Sequence, residues 1–220
     1  MRSVRDILRA TPKMLIPVVH AYERRLSRYG PTAQGVFWKN QEWQLRRYVT
    51  LEGIFDDTAQ AGGITIHDFG CGYGSLFEYL ADKNVMKLSR YIGTDMSQGM
   101  IDAAKARHQD PRAQFVRGVT AREKADYTIV SGTYNMHMGA DPQEWCEYIQ
   151  ASLQQLWRHT RHGLAFNMLR HDTDVHYDGL YYADPARVLT FARENLSSDV
   201  EIIFDPPLPD FNVFVRRPTA

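Results

Sequence analysis

Residues 64–75 read Ile-Thr-Ile-His-Asp-Phe-Gly-Cys-Gly-Tyr-Gly-Ser, and this stretch decides the fold. The apolar run over 64–69 predicts a buried strand, and Ser75 opens a segment with helical spacing. Glycine at every second position between them allows a sharp turn and lets the main chain approach a ligand closely. The free amides at the start of the helix face the same place. The stretch therefore predicts a ligand-binding turn at one edge of a sheet.

From residue 63 onward, short β-branched or aromatic runs alternate with longer segments of helical spacing. Strands are predicted at 64–69, 91–94, 114–117, 127–131, 164–169, 200–204 and 212–216, and helices at 75–83, 97–108, 142–159 and 184–195. Strands joined through helices form a mostly parallel sheet covered on both faces. The last two strands are separated only by the proline-rich residues 205–210, so they are predicted to pair antiparallel. The pattern predicts an α/β protein with a seven-stranded, mostly parallel sheet and an antiparallel last strand.

The first 62 residues do not show this alternation. Their apolar residues follow helical spacing, with a break at Gly30-Pro31. We predict an N-terminal helical cap or lid over 1–62, packed on the ligand edge of a catalytic unit at 63–220. A chain of 220 residues suits one structural unit better than two.

Two acidic residues accompany the glycine turn. Asp95 ends the second predicted strand, about twenty residues beyond the glycines, where a carboxylate can accept hydrogen bonds from both hydroxyls of a ribose. Asp68 is predicted to brace the turn by accepting hydrogen bonds from its amides. The combination predicts a site for a ligand that contains a ribose.

The run 68–74 resembles the first motif of class I S-adenosylmethionine-dependent methyltransferases, and Tyr91-Ile-Gly-Thr-Asp95 resembles their second motif. With 125–131 at the fourth strand, the resemblance covers most of residues 63–217. It implies a Rossmann-like fold, the cofactor S-adenosyl-L-methionine and the product S-adenosyl-L-homocysteine. It also implies that the glycine turn lines the methionine part, Asp95 holds the ribose and Met96 packs on adenine, with Met100 extending that apolar wall.

One position departs from the family pattern. Many members carry Gly-Asp after the third strand, whereas this chain has Arg117-Gly118-Val119-Thr120, so adenine contact is expected from the main chain or Thr120. The residues expected to form the cofactor site are Trp38, Arg47, Asp68, Gly70, Cys71, Gly72, Asp95, Met96, Met100, Thr120, Ser131 and Gly132.

A closer similarity is to a poorly characterised subgroup of these enzymes, carried by Tyr29-Gly-Pro, 35–38, Arg47-Tyr48, 131–135, 165–167 and 181–185. In related enzymes a cap arginine reaches the methionine carboxylate. Arg47 is expected in that role because a guanidinium matches a carboxylate bidentately. Arg46 is a competing candidate, and a solvated helix face is the alternative for both.

Residues that act on the acceptor are expected in the loops after the fourth and fifth strands, at the carboxyl ends of the sheet. Tyr134, Asn135 and His137 are the predicted catalytic residues, with His137 as general base because its pKa range suits proton transfer. A purely structural loop role for His137 stays open, since a thiolate, amine or carboxylate acceptor needs no base. No metal is predicted, and the run 171–178 is interpreted as an acceptor-binding loop.

The bulk properties narrow the function further. Lys and Arg number 26 and Asp and Glu number 26, so charge indicates no nucleic acid partner, and the apolar run at 14–19 is too short to span a membrane. Cys71 and Cys146 are expected to be free thiols in a cytoplasmic protein, monomeric or homodimeric. We predict O- or N-methylation of a small or medium polar molecule. The alternatives are an NAD(P)-dependent oxidoreductase and a non-catalytic S-adenosylmethionine-binding regulatory module.

Overall fold

A computed structural model of the chain describes residues 3–218 and places one sheet at its centre. The strands are β1 (Thr65–Phe69), β2 (Arg90–Asp95), β3 (Ala113–Arg117), β4 (Ala125–Val130), β5 (Thr160–Arg170), β6 (Tyr182–Ala183), β7 (Asp199–Phe204) and β8 (Asp210–Arg216). Their order is β3-β2-β1-β4-β5-β8-β7, with β6 beside the end of β5. The strands β1 to β5 are parallel, and β8 runs antiparallel to both β5 and β7. This confirms the predicted sheet and its antiparallel ending. The two-residue β6 was not predicted.

Helices cover both faces of the sheet. They are α1 (Val4–Tyr29), α2 (Gln41–Glu52), α3 (Asp57–Gln60), α4 (Ser75–Leu80), α5 (Gln98–Arg107), α6 (Pro142–His159) and α7 (Pro185–Asn195), with 3₁₀ turns at Gln34–Val36 and Asn84–Met86. Three of these helices begin at side-chain N-caps: Ser97, Asp141 and Asp184 each accept backbone hydrogen bonds from the first turn, and a proline follows Asp141 and Asp184.

The core forms two layers because neighbouring strand residues point to opposite faces of the sheet. On β5, Phe166 packs in the layer around Trp145, whereas Ala165 packs in the layer around Leu51 and Phe77. On β8, Val213 and Phe214 divide in the same way. Trp145 lies on α6 and Leu51 lies on α2, so these two helices cover opposite faces of the sheet.

The helices α1 and α2 of the first 62 residues pack against different parts of the molecule. The helix α1 packs along α6 and contacts α5, on the side of the ligand edge. The helix α2 instead packs against α4, β5 and β8. The division of the chain into a cap and a catalytic unit at residue 62 stays a prediction. None of the helices between residues 3 and 218 combines the length and apolar character needed to cross a bilayer.

Candidate active site

A cavity lies where β1, β2 and β4 end, between the glycine turn and α1. Its floor is the turn itself, and its walls come from the segments after β2, β3 and β4. One face of α1, formed by Leu15, Val18, Val19 and Tyr22, closes it from above. The sequence-predicted residues that line it are Trp38, Gly70, Cys71, Gly72, Asp95, Met96, Met100, Ser131 and Gly132.

The glycine turn is held by the end of β2. The amides of Gly70 and Cys71 donate to the Thr94 carbonyl at 2.7 and 3.1 Å, and the Gly72 amide donates to Asp95 Oδ2 at 3.0 Å. Gly70 has φ of +80°, and a Cβ there would lie 2.1 Å from Thr133 Oγ1. Only glycine satisfies both the backbone angle and the space at that position.

Asp95 is placed to serve the turn and a ligand together. Its Oδ1 accepts the Ser97 amide at 2.8 Å, so each carboxylate oxygen takes one backbone donor. A carboxylate offers about four acceptor positions, which leaves capacity for ligand hydroxyls on the side that lines the cavity. Burial raises the pKa of Asp95, and the hydrogen bonds from Ser97 and Gly72 act in the opposite direction.

The prediction that Asp68 braces the turn is wrong. Its carboxylate accepts the Tyr91 hydroxyl beneath the turn, is only 2% exposed and does not line the cavity. Burial raises its pKa to about 7. The turn amides bend away from β1 toward β2, so Thr94 and Asp95 accept the hydrogen bonds that were expected at Asp68.

The wall beside Met96 and Met100 also differs from expectation. Gly118 and Val119 line the cavity, whereas Thr120 faces a separate cleft with His67 and Arg117. The chain bends at residues 119 and 120, directly after β3, and Val119 rather than Thr120 lines the cavity. The predicted contact from Thr120 is therefore corrected to Val119.

The guanidinium of Arg47 does not face the cavity. It is 3% exposed and pairs bidentately with Asp210, with Nη2 2.8 Å from Oδ1, while Nη1 donates to the Trp43 carbonyl at 2.8 Å. The guanidinium carbon lies 4.2 Å from the ring centre of Trp38. Arg46 is bound to Asp205. Both arginines have carboxylate partners within this chain, which corrects the prediction that one of them binds the cofactor carboxylate.

The three residues predicted to be catalytic lie away from the cofactor cavity. Tyr134 is fully buried, with its hydroxyl 2.8 Å from Ser152 Oγ. Asn135 Oδ1 accepts the Leu169 amide at 3.1 Å. The ring of His137 is hydrogen-bonded through Nδ1 to the Ala140 carbonyl at 2.9 Å and lines a different cleft beneath α1. Tyr134 and His137 are held by contacts inside the chain and line neither the cavity nor the groove beside it, whereas Asn135 lines that adjoining groove.

Sequence reasoning missed a buried polar cluster on the cavity wall. Gln44 Nε2 donates to Tyr48 Oη and Ser75 Oγ, both at 3.0 Å, and Tyr73 Oη donates to Gln44 Oε1 at 3.1 Å. All four residues line the cavity. The signal that could have revealed the cluster is the pair Gln44 and Tyr48, which lie four residues apart on one face of α2.

A second, open groove adjoins the first cavity. The two share Tyr22, Val36, Trp38 and Gly132. Its other walls are aromatic and proline-rich, with Phe37, Trp43, Asn135, Tyr177, Tyr182 and Pro206, Pro207 and Pro209 among them. Its arginines are neutralised locally: Arg47 pairs with Asp210, and Arg170 pairs with Asp172. Over residues 3–218, no three His, Cys, Asp or Glu side chains are grouped so as to hold a metal ion.

The sheet order, the antiparallel β8 and a glycine turn that shares its cavity with the acid after β2 define the class I S-adenosylmethionine-dependent methyltransferase fold. Residues 67–163 match the family model of a methyltransferase domain. Over 160 residues the chain is 35% identical to Rv1506c of Mycobacterium tuberculosis, a protein named as a methyltransferase, and this match spans 71% of the chain and 95% of that protein. The chain therefore belongs to the methyltransferase family.

Solved structures agree on the fold. The magnesium protoporphyrin IX methyltransferase of Synechocystis PCC 6803, with bound S-adenosylhomocysteine, superimposes with a TM-score of 0.59 at 14% identity, over 80% of this chain and 85% of that one. The structure of the same enzyme with bound S-adenosylmethionine superimposes with a TM-score of 0.58 at 15% identity, over 81% of this chain and 79% of that one. The chain is an S-adenosylmethionine-dependent methyltransferase, which rules out the oxidoreductase alternative.

The cavity suits this cofactor on its own chemistry. Ser131 Oγ is buried against the cavity with no hydrogen-bond partner within residues 3–218, so it can hydrogen-bond to a ligand there. The bare turn at Gly70 and Gly72 provides close main-chain approach, and Asp95 provides acceptors for ribose hydroxyls. Met96, Met100 and Val119 provide an apolar wall for a base. When bound, the cofactor supplies a methyl group activated by its sulfonium.

Proposed function

We propose that this enzyme methylates a small or medium-sized polar molecule that binds in the groove beside Trp38. The observation that carries the proposal is the junction of the two cavities at Trp38 and Gly132. A concave site with aromatic walls and a few polar groups is the usual form of a small-molecule pocket. With 26 basic and 26 acidic residues, the chain has no excess of positive charge that would favour a nucleic acid acceptor.

In this proposal residues 1–62 act as a cap. The apolar face of α1 and the ring of Trp38 cover the cofactor, and the groove stays open for the acceptor. Methyl transfer is an in-line displacement, so holding the two reactants in alignment supplies much of the catalysis. Excluding water from the cofactor side protects the reactive sulfonium.

We further propose that the acceptor needs no protein base. His137 lies in another cleft. Arg170 lowers the pKa of Asp172, which makes that carboxylate a weak base, and burial raises the pKa of Tyr22, which keeps its hydroxyl protonated. An amine or a carboxylate with a free electron pair near neutral pH fits this arrangement better than an alcohol does.

The test is methyl transfer from S-adenosylmethionine labelled on its methyl group to a cell extract divided into low-mass, protein and nucleic acid fractions. The proposal predicts label in the low-mass fraction. Tyr177→Ala, which removes an exposed groove ring, should lower the incorporation, while Tyr29→Ala, which removes an exposed ring outside both cavities, should not. Label confined to the protein or nucleic acid fraction would reject the proposal.

A further inference from the structure

A continuous chain of buried hydrogen bonds connects α2 to the wall of the cofactor cavity. Arg47 pairs with Asp210 on β8, and Asn167 Nδ2 on β5 donates to Asp210 Oδ2 at 3.0 Å. Asn167 Oδ1 then accepts the Gly132 amide at 2.7 Å. Arg47, Asn167 and Asp210 are all at most 3% exposed.

The far end of this hydrogen-bond chain is a crowded position that suits only glycine. Gly132 has φ of +71°, and a Cβ there would lie 2.5 Å from the Trp38 ring. The same ring lies 4.2 Å from the Arg47 guanidinium. Trp38 and Gly132 are therefore fixed from two directions, through the Asn167 hydrogen bond and through the stacked arginine, and both line the cofactor cavity and the groove.

The chemistry of Asn167 suits a relay between these groups. A carboxylate such as Asp210 can only accept hydrogen bonds, and a backbone amide can only donate one. A side chain that bridges them must therefore donate at one end and accept at the other, which an apolar residue cannot do. An amide side chain carries both a donor and an acceptor and joins them. At a buried position each of these groups would be costly without its partner.

We infer that Asn167 and Asp210 are positioning residues for the cofactor: through the Gly132 amide and the Arg47–Trp38 contact they set the wall against which S-adenosylmethionine binds. Neither side chain lines the cofactor cavity, so both act through Gly132 and Trp38. This role concerns the cofactor side of the junction and holds whichever acceptor occupies the groove.

The test measures the affinity for S-adenosylhomocysteine by calorimetry on the full chain, with the melting temperature recorded for every variant. Asn167→Ala should weaken binding about tenfold. The matched control is Asn212→Ala, because Asn212 is the partner of Asn167 across β5 and β8, is equally buried and donates to the Ile203 carbonyl instead. The control should bind within about twofold of the wild type.

An exchange variant separates positioning from a general loss of stability. In Asn167→Asp with Asp210→Asn, one carboxylate and one amide remain: an oxygen at 167 still accepts the Gly132 amide, the amide at 210 donates to the carboxylate at 167, and the oxygen at 210 still accepts Arg47 Nη2. The hydrogen bond that Arg47 Nε donates to Asp210 is lost, on the side of the network away from Gly132. The exchange should restore affinity to within about threefold, whereas Asn167→Asp alone, with two facing carboxylates, should not. If Asn167→Ala does not fold, Asn167→Ser takes its place in the test. The serine side chain is too short to span both partners, so this variant should also weaken binding about tenfold.

The inference is overturned if Asn167→Ala or Asn167→Ser binds S-adenosylhomocysteine as the wild type does, if Asn212→Ala weakens binding equally, or if the exchange variant binds no better than Asn167→Asp. Because the probe is the cofactor product alone, a failed search for an acceptor would reject the groove proposal without affecting this result.

Discussion

Gly70 holds the tightest position of the glycine turn. Its positive φ strains any residue with a Cβ by about 1–2 kcal/mol, and the space for that Cβ is already taken by Thr133. We predict that Gly70→Ala lowers the free energy of unfolding more than Gly30→Ala does. Gly30 also has positive φ, at +67°, but open space around its missing Cβ. Denaturant unfolding measures both variants, and equal losses would contradict the packing at Thr133.

His137, in the loop after β4, is either a general base or a structural residue of that loop, and its replacement distinguishes the two roles. A general base contributes about 10²–10⁴-fold to a rate. Because the ring is bonded to the Ala140 carbonyl and lines a cleft apart from the cofactor, we predict that His137→Ala keeps the methyl transfer rate within a few-fold of the wild type. The measurement is a rate at saturating acceptor. A hundredfold loss in a folded variant would restore the general-base role.

Residue by residue, sequence patterns predicted the cofactor site best where the main chain itself forms it. The glycine spacing and the end of β2 fix Gly70, Gly72 and Asp95 without reference to side-chain direction. Patterns failed where side-chain direction decides: Val119 and Thr120 are neighbours in a bend after β3, and of these two only Val119 lines the cavity. The partner of Arg47 is Asp210, 163 positions away along the chain, and no local pattern shows such a pairing.

The helix α2 is tied to the sheet by two arginines in contrasting settings. Removing one partner of a buried ion pair costs about 3–5 kcal/mol, because the other charge stays buried without compensation. An exposed pair contributes at most about 1 kcal/mol. We predict that Arg47→Ala lowers the free energy of unfolding by several kcal/mol and that Arg46→Ala lowers it far less. Similar losses in the two variants, measured by denaturant titration, would contradict the buried pairing of Arg47 with Asp210.

At the level of elements, the parallel or antiparallel direction of the strands followed from connection lengths. Helices between strands require crossovers, and the short segment between β7 and β8 permits only an antiparallel pair. The Asp-Pro pairs at 141–142 and 184–185 marked the starts of α6 and α7 correctly. The two-residue β6 could not be predicted because a periodic pattern needs about four residues. This strand forms where the loop that follows β5 returns to lie beside the end of β5.

At the scale of the whole molecule, the free energy of unfolding depends on pH through Asp68. Its folded pKa of about 7 lies above the ordinary value of 3.8 because of burial, so the folded state keeps a proton that the unfolded state releases. The stability linked to this carboxyl is complete below pH 3.8 and is lost as the pH rises through about 7, with a total of about 4 kcal/mol. Asp68→Asn keeps an acceptor for the Tyr91 hydroxyl and removes the titration.

We therefore predict that Asp68→Asn gains stability over the wild type as the pH is raised from 4 to 8. Denaturant unfolding across that range measures the difference. The exposed Asp102→Asn serves as control, because its carboxylate is bonded only to the nearby Gln98 amide on the surface of α5. Parallel profiles for wild type and Asp68→Asn would show that the buried carboxyl does not retain its proton.

The central claim is that the glycine turn and Asp95 together bind S-adenosylmethionine, and calorimetry with S-adenosylhomocysteine tests it most directly. Wild-type protein should bind one equivalent per chain, and Asp95→Ala should bind at least tenfold more weakly, since hydrogen bonds to a charged group contribute about 1.5–3 kcal/mol. Asp102→Ala should bind as the wild type does. No binding by folded wild-type protein, or equal binding by Asp95→Ala, would contradict the site described at this edge of the sheet.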